Sequence, residues 1–232
     1  MTQPFLEGTV YRSRLWPELL LELKEDRIEA LLPGKLHVLS SAVHPGGFSR
    51  ADRMVNWRVP LSYDCSDPVG DLVANCGKWG CDPSGTVGFI TAAELTQASV
   101  EERQGGGFRL ICVTTAGTGN AARAGLPRNA YAAYTPGTIN TMLFIDGGMT
   151  PSAMVNAVIT ATEAKSAALQ KLGIRDKETG EQATGTTTDA LAVALSQQGP
   201  VHAYAGSATT IGCAIGEAVY RTVLEACGSS SG

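Results

Sequence analysis

Long apolar runs, blocks of like charge and metal-ligand spacings are all missing from this sequence. No stretch of about 18 apolar residues occurs, which argues against a membrane-spanning helix. Met1-Thr2-Gln3-Pro4 offers neither the charged nor the apolar block of a signal peptide, so the cytoplasm is the expected location. The 18 Lys and Arg residues are outnumbered by 22 Asp and Glu and never form a run. A nucleic-acid binder needs a basic face to neutralise phosphates, so none is expected here, and anionic membranes are disfavoured for the same reason. Histidine is scarce: His37, His44 and His202 are scattered, no CxxC occurs, and Cys76 and Cys81 stand five apart. Zinc sites usually show one close ligand pair, so no metal is expected. The six cysteines read as ordinary thiols, because a cytosolic domain of this size needs no disulfide framework.

What is present points to one folded α+β domain. With 232 residues, 44% of them hydrophobic, the chain can bury roughly 70% of the surface it exposes when unfolded. The expected domain covers residues 1–227, with residues 228–232 as a flexible tail. Glycine is in excess, at 27 residues, against an average usage of about 7%. The glycines sit at the ends of apolar runs, where they permit tight backbone turns, often around a ligand.

Leu19 to Leu32 forms two alternating stretches about Lys24-Glu25-Asp26, which predicts a β-hairpin. Further strands are predicted over Leu36–Val43, Arg53–Val59, Thr86–Ile90, Phe108–Val113, Ala190–Leu195 and Val201–Ala205. Ser66-Asp67-Pro68 opens a short helix. Thr91-Ala92-Ala93-Glu94 matches a capping box and predicts another. Gln104 to Gly107 is a loop. Thr150-Pro151 starts the clearest helix, ended by Gly173, and Thr209 or Thr210 caps a last one reaching Ala226. Helix, strand and Thr/Gly-rich loop recur around Thr91–Gly119 and Pro151–Asp189, which hints at duplication.

Several motifs carry chemistry or imitate it. Gly117 to Ala122 spells G-x-G-x-x-A, a dinucleotide fingerprint, and Asp146 closes the next strand. Gly125 and Pro127 cut short the long helix that pyrophosphate binding requires, so a nucleotide-binding oxidoreductase is disfavoured. Gly228 to Gly232 imitates a nucleophile elbow but ends the sequence without the downstream acid and His. On the long helix, Lys165 falls on the apolar stripe Met154, Val158, Ala161, Ala168 and Leu172. Its ammonium must snorkel to water or find an anion. Glu163 lies on another face, either solvated or, if both faces are buried, lining a cavity. Ala183 to Asp189 gathers four threonines ahead of an Asp, which suits either an ordinary turn or a hydrogen-bonding site.

Taken together, several motifs resemble the adenosylcobinamide amidohydrolase family, CbiZ. They are Ser40-Ser41-Ala42 with Gly46-Gly47, Asn56, Thr115-Ala116-Gly117 with Gly119-Asn120-Ala121, Gly137-Thr138-Ile139-Asn140, Thr162 to Lys165, Ala183 to Thr186 with Thr188-Asp189, and Tyr204-Ala205-Gly206. The resemblance spans about Leu19 to Glu225 and departs at Thr187 and between Cys76 and Cys81. It implies hydrolysis of the amide joining a corrin propionyl side chain to aminopropanol, giving adenosylcobyric acid in corrinoid salvage for cobalamin. No cofactor is implied, since the substrate is itself a cobalt corrinoid. Ser41, Gly46, Gly47, Asn56, Gly117, Gly119, Asn120, Thr138, Asn140, Thr186 and Thr188 are the expected substrate-binding residues.

Amide hydrolysis needs an attacking oxygen, an oxyanion stabiliser and a proton for the amine. Glu163 is expected to activate water or a Thr hydroxyl. Lys165, or N–H groups near Gly117 and Gly119, would hold the oxyanion, and His44 or Asp189 would manage the leaving-group proton. A covalent Thr186, Thr187 or Thr188 is the second mechanism and metal-assisted attack the third. The rival from another class is a non-catalytic corrinoid carrier. Homo-oligomerisation is left open.

Overall fold

The structure is a computed structural model that describes residues 2–128 and 137–228. Its strands are β1 (Val10–Arg12), β2 (Leu20–Leu23), β3 (Arg27–Ser40), β4 (Gly47–Arg58), β5 (Thr86–Thr91), β6 (Ser99–Gly105), β7 (Phe108–Ala116), β8 (Ala121–Ala122), β9 (Ile139–Asp146), β10 (Gly148–Met149), β11 (Gly185–Thr186), β12 (Ala190–Leu195) and β13 (Val201–His202). The helices are α1 (Pro68–Trp79), α2 (Pro151–Lys171) and α3 (Thr210–Gly228).

Nine strands form one mixed, curled sheet in the order β1-β2-β3-β12-β9-β7-β6, with β4 along the other side of β3 and β5 beyond it. β9 and β12 run parallel and are joined through α2, the crossover that a parallel pair demands. Period-two alternation sorts the side chains into two cores. Ile111, Val113, Met142, Phe144, Ala192 and Ala194 face the inside of the curl with Met54 and Phe89. Leu110, Cys112, Leu143, Ile145, Val193 and Leu195 face out beneath α2 and α3. Burying each side chain of this size contributes roughly 1.5–3 kcal/mol.

The fold is α+β, as the alternating and helical patterns imply. The hairpin about Lys24 forms as β2 and β3. β3 and β4 are longer than their patterns suggest: β3 runs through Pro33-Gly34 by a register shift between Leu31 and Leu36, where Gly34 has φ +121°. The loop before Phe108 is a two-residue turn with Gly106 and Gly107 both at positive φ, the geometry of a tight hairpin. Asp67 accepts the Gly70 N–H at 3.0 Å to cap α1, and Thr209 accepts that of Gly212 at 3.0 Å to cap α3.

Two expectations fail. No helix follows Thr91, whose hydroxyl accepts the Ala93 N–H two residues on, a local turn that competes with helix. A single 3-10 turn leads instead into β6, which removes the hint of duplication. The strand expected to reach Ala205 stops at His202. α3 runs to Gly228, and the tail expected over 228–232 lies, apart from Gly228, outside the described residues.

The first turn of α3 packs closely against the loop before it through Gly212, while Gly216 faces α2 at ordinary van der Waals distance. A Cβ at Gly212 would lie 2.1 Å from the Gly206 carbonyl oxygen and 2.4 Å from that of Ala205, whereas one at Gly216 would meet only Thr160 Cγ2 at 3.7 Å. Gly212→Ala should therefore destabilise the fold by about 1–3 kcal/mol through overpacking. Gly216→Ala should be neutral or stabilising, up to about 1 kcal/mol, from helix propensity. Thermal melts of the two variants check this, and equal effects would refute it.

Candidate functional site

The first residues of β9 and β12 and the last of β3 and β7 meet at one end of the sheet. Asp189, just ahead of β12, is the hub there. Its Oδ1 accepts the Ile139 N–H at 3.0 Å and the Thr186 hydroxyl at 2.5 Å. Oδ2 accepts the Thr186 N–H at 3.0 Å and pairs with Lys165 Nζ. Both side chains of this pair are 15% exposed. Lys165 thus meets an anion instead of snorkelling past its apolar stripe. Gly185 makes the pairing possible, since a Cβ there would stand 2.4 Å from Asp189 Oδ2 and 2.8 Å from Lys165 Nζ.

A chain of buried amides and hydroxyls joins this hub to the far side of the curl. Asn56 Nδ2 donates to Thr115 Oγ1 at 2.7 Å, and Asn140 Nδ2 donates to Asn56 Oδ1 at 2.9 Å and to the Ile90 carbonyl at 3.0 Å. The Thr138 hydroxyl donates to the Thr188 carbonyl at 2.9 Å, with Asn140 Oδ1 at 3.2 Å. Thr188 Oγ1 donates to the Gly137 carbonyl at 2.7 Å, and Asn120 Nδ2 to Thr187 Oγ1 at 2.7 Å. Asn120 Oδ1 is buried without a partner among the described residues. Where the network is buried, at Asn56, Asn140 and Thr138, each satisfied group fixes its neighbours, because the alternative is a costly unpaired dipole.

Two cavities open on either side of the 186–188 loop. The larger, about 650 Å³, is polar and is lined by Lys165, Asp189, Thr186, Thr187, Arg123 and Arg128 among others. The smaller, about 400 Å³, is lined mainly by apolar residues including Val59, Pro60, Ile90 and Tyr63, with Thr138 and Thr188 also in its lining. A further hollow of about 240 Å³ puts Ser41 beside Lys165 and Asp189.

The family profile of the adenosylcobinamide amidohydrolases, CbiZ, matches residues 19–232. The chain belongs to this family. It is 29% identical over 202 residues to the adenosylcobinamide amidohydrolase of Methanosarcina mazei, covering 83% of this chain and 90% of that protein. It is 35% identical over 206 residues to the uncharacterized protein MJ1613 of Methanocaldococcus jannaschii, 78% of each being covered. Among solved structures, the PH0078 protein of Pyrococcus horikoshii covers 89% of this chain and 77% of its own at 8% identity and a TM-score of 0.42, too slight a likeness to carry an argument.

Against the family's motifs, the structure gathers Lys165, Asp189, Thr186, Thr188, Thr138, Asn140, Asn56, Asn120 and Ser41 around one sheet end. The remaining expected residues stand apart from this group or are already engaged in structure. Glu163 is exposed and does not line the cavity around Lys165, so the two buried helix faces that would have turned it inward do not occur. His44 donates from Nε2 to the Pro83 carbonyl at 3.1 Å and bridges Gly88 through its backbone. Gly46 and Gly47 turn the chain into β4, Gly47 at φ +78°. The Gly117 N–H is not free for an oxyanion, because it donates to the Thr138 carbonyl at 2.9 Å. Beyond Gly119 the G-x-G-x-x-A turn runs into β8, which pairs with β11 and so braces Thr186; among the described residues no dinucleotide helix follows it directly. Buried Cys112 and Cys227 are pushed up to about 12 by desolvation, so neither is a thiolate near neutral pH. Among the described residues no three His, Cys, Asp or Glu side chains converge as a metal set, and no helix is long and apolar enough to cross a membrane.

Sequence reasoning missed the wall of the polar cavity. Asp176, 1% exposed, accepts the N–H groups of Arg123 at 2.8 Å, Glu178 at 2.8 Å and Thr179 at 3.3 Å, and pairs with Arg128 at 2.7 Å. The Asp-x-x-Thr-Gly turn announces the two local bonds but not the distant ones. Burial pushes the Asp176 carboxyl up, yet these hydrogen bonds and the Arg128 charge outweigh it and hold the group below its ordinary value. A depressed carboxyl stabilises the fold above its unfolded pKa, about 3.9. Asp176→Asn should lower stability by roughly 2–3 kcal/mol at pH 7. The gap to the parent should narrow as pH falls below about 4 through the folded pKa. Denaturant titrations at several pH values check this; a pH-independent gap would refute it.

Proposed function

We propose that this chain hydrolyses the amide between the corrin propionyl side chain and aminopropanol of adenosylcobinamide, giving adenosylcobyric acid in corrinoid salvage. The observation that carries the reading is the Asp189 carboxylate, paired with Lys165 and facing a polar cavity, in a chain of this family. The geometry favours Asp189 over Glu163 as the base. Water in the cavity gives a proton to Asp189 as its oxygen attacks the carbonyl carbon. Lys165 stabilises the oxyanion that develops, in a dry site where charge is most effective. The tetrahedral intermediate collapses with cleavage of the C–N bond, Asp189 returns the proton to the departing nitrogen, and acid and free amine result.

The Thr186 hydroxyl, donated to Asp189 Oδ1 at 2.5 Å, favours a second course. That contact is the nucleophile–base pairing of covalent catalysis, in which Asp189 takes the Thr186 proton as the Thr186 oxygen attacks the carbonyl carbon, the C–N bond breaks with that proton passing to the departing amine, and water then cleaves the ester to the acid and free Thr186. Exposed Thr187 and Thr188 and buried Asn120, Asn140 and Asn56 meet or orient the amide-rich rim of the corrin in either course. We propose that no bound metal cofactor takes part, which the chelator in the assay below tests. No disulfide joins the six cysteines, which suits a reducing cytoplasm.

The test is to incubate adenosylcobinamide with the protein and a chelator and to follow both products by mass spectrometry. Multiple turnovers are expected, with Asp189→Asn and Lys165→Met each reduced about 10²-fold or more and Glu163→Gln retaining turnover. A mass shift of the trapped protein at Thr186 would select the covalent course. Tight binding without product, with or without added divalent metals, would replace hydrolysis by the carrier function.

A further inference from the structure

The apolar cavity has no part in the chemistry above, yet it shares Thr188 with the reacting loop. Thr138 and Gly137 line it too, and both belong to the network that runs to Asp189. Its aromatic wall is held rigid. The Tyr63 ring stands edge-on to Trp57 at 5.7 Å, Trp57 in turn meets Trp79 at 5.9 Å, and Arg27 lies 4.6 Å over Trp79. The Tyr63 hydroxyl donates to Asp71 at 2.6 Å. Burial, followed by that bond, holds the phenol above its ordinary value, so Tyr63 stays neutral at working pH.

Size selects the occupant. A corrin macrocycle with its peripheral amides does not enter about 400 Å³, whereas a purine nucleoside falls within the range of pockets that enclose small ligands. Val59, Pro60 and Ile90 offer flat apolar surface for a base, and the Ser62 and Thr188 hydroxyls at the margin suit its ring nitrogens and ribose. Thr187 and Thr188 are exposed on the ridge between the two cavities. A macrocycle laid across that ridge reaches both at once. Resting on the amidohydrolase reading, we propose that the cavity behind Thr188 is the seat of the nucleoside that forms the upper cobalt ligand of the substrate. The protein thereby reads the adenosyl group by apolar enclosure while the amide is presented to Asp189 on the other side of the loop.

The probe is 5′-deoxyadenosine, titrated into the intact protein by tryptophan fluorescence and tested as an inhibitor of adenosylcobinamide hydrolysis. Saturable binding and competitive inhibition are expected. Ala92→Phe, which fills the cavity, should weaken binding by about tenfold or more and should raise KM for the adenosyl corrinoid over that for its cyano counterpart by a similar factor. Leu61→Asp, at an exposed rim position, should act in the same direction without burying new volume. Absence of saturable binding, or a KM ratio that neither variant moves, overturns the proposal. Should neither corrinoid be hydrolysed, the amidohydrolase reading fails, and the fluorescence titration still decides the nucleoside site.

Discussion

The meeting of Lys165 with Asp189 is the constraint around which this end of the molecule is arranged. Two charges that are each mostly withdrawn from water hold together only if every remaining lone pair is occupied. The surroundings supply those partners: the first N–H of β9, the backbone and hydroxyl of Thr186, and the bare Gly185 beside them. The parallel β9-α2-β12 crossover follows the same demand, since it carries Lys165 on the helix back over the loop that enters β12. The fold and the site are thus one solution to one electrostatic problem.

Much of this was legible in the residue pattern. Lys165 in an apolar stripe announced an anion or an escape to water, and the Thr-rich run ending at Asp189 announced a hydrogen-bonding turn, but nothing in spacing could join them. Local signals served where the structure is local: Asp67 ahead of α1, Thr150 ahead of α2, and the paired glycines of the β6–β7 turn. They misled at Thr91, where an i to i+2 contact won over the capping box. Glu163 looked suitable by residue type alone, because a helix carries no label for which of its faces the sheet will cover. Arg123, Arg128 and Asp176 were invisible for a related reason: their partners lie about fifty residues apart, as the Arg128–Asp176 separation shows.

The network from Asn56 through Asn140 to Thr138 gives the curl its closure. Apolar side chains alone would let the β5 side of the sheet slide against β7 and β9, since dispersion has little direction. The Asn56 bond to the Thr115 hydroxyl at 2.7 Å and the Asn140 bond to the Asn56 amide oxygen at 2.9 Å fix that approach to one register. They also fix the place of Thr138, which lines the apolar cavity together with Thr188.

The pairing of Ser40 with Ala192 reaches across most of the chain and has a consequence for biogenesis. While the polypeptide is being synthesised, the second half of β3 must wait for β12 with one row of N–H and C=O groups unpaired, a strand edge open to neighbouring chains. Such high contact order slows folding and lengthens the interval in which aggregation competes. Expression at lower temperature or with a chaperone that shields strand edges is accordingly the condition under which this chain should accumulate in its native form.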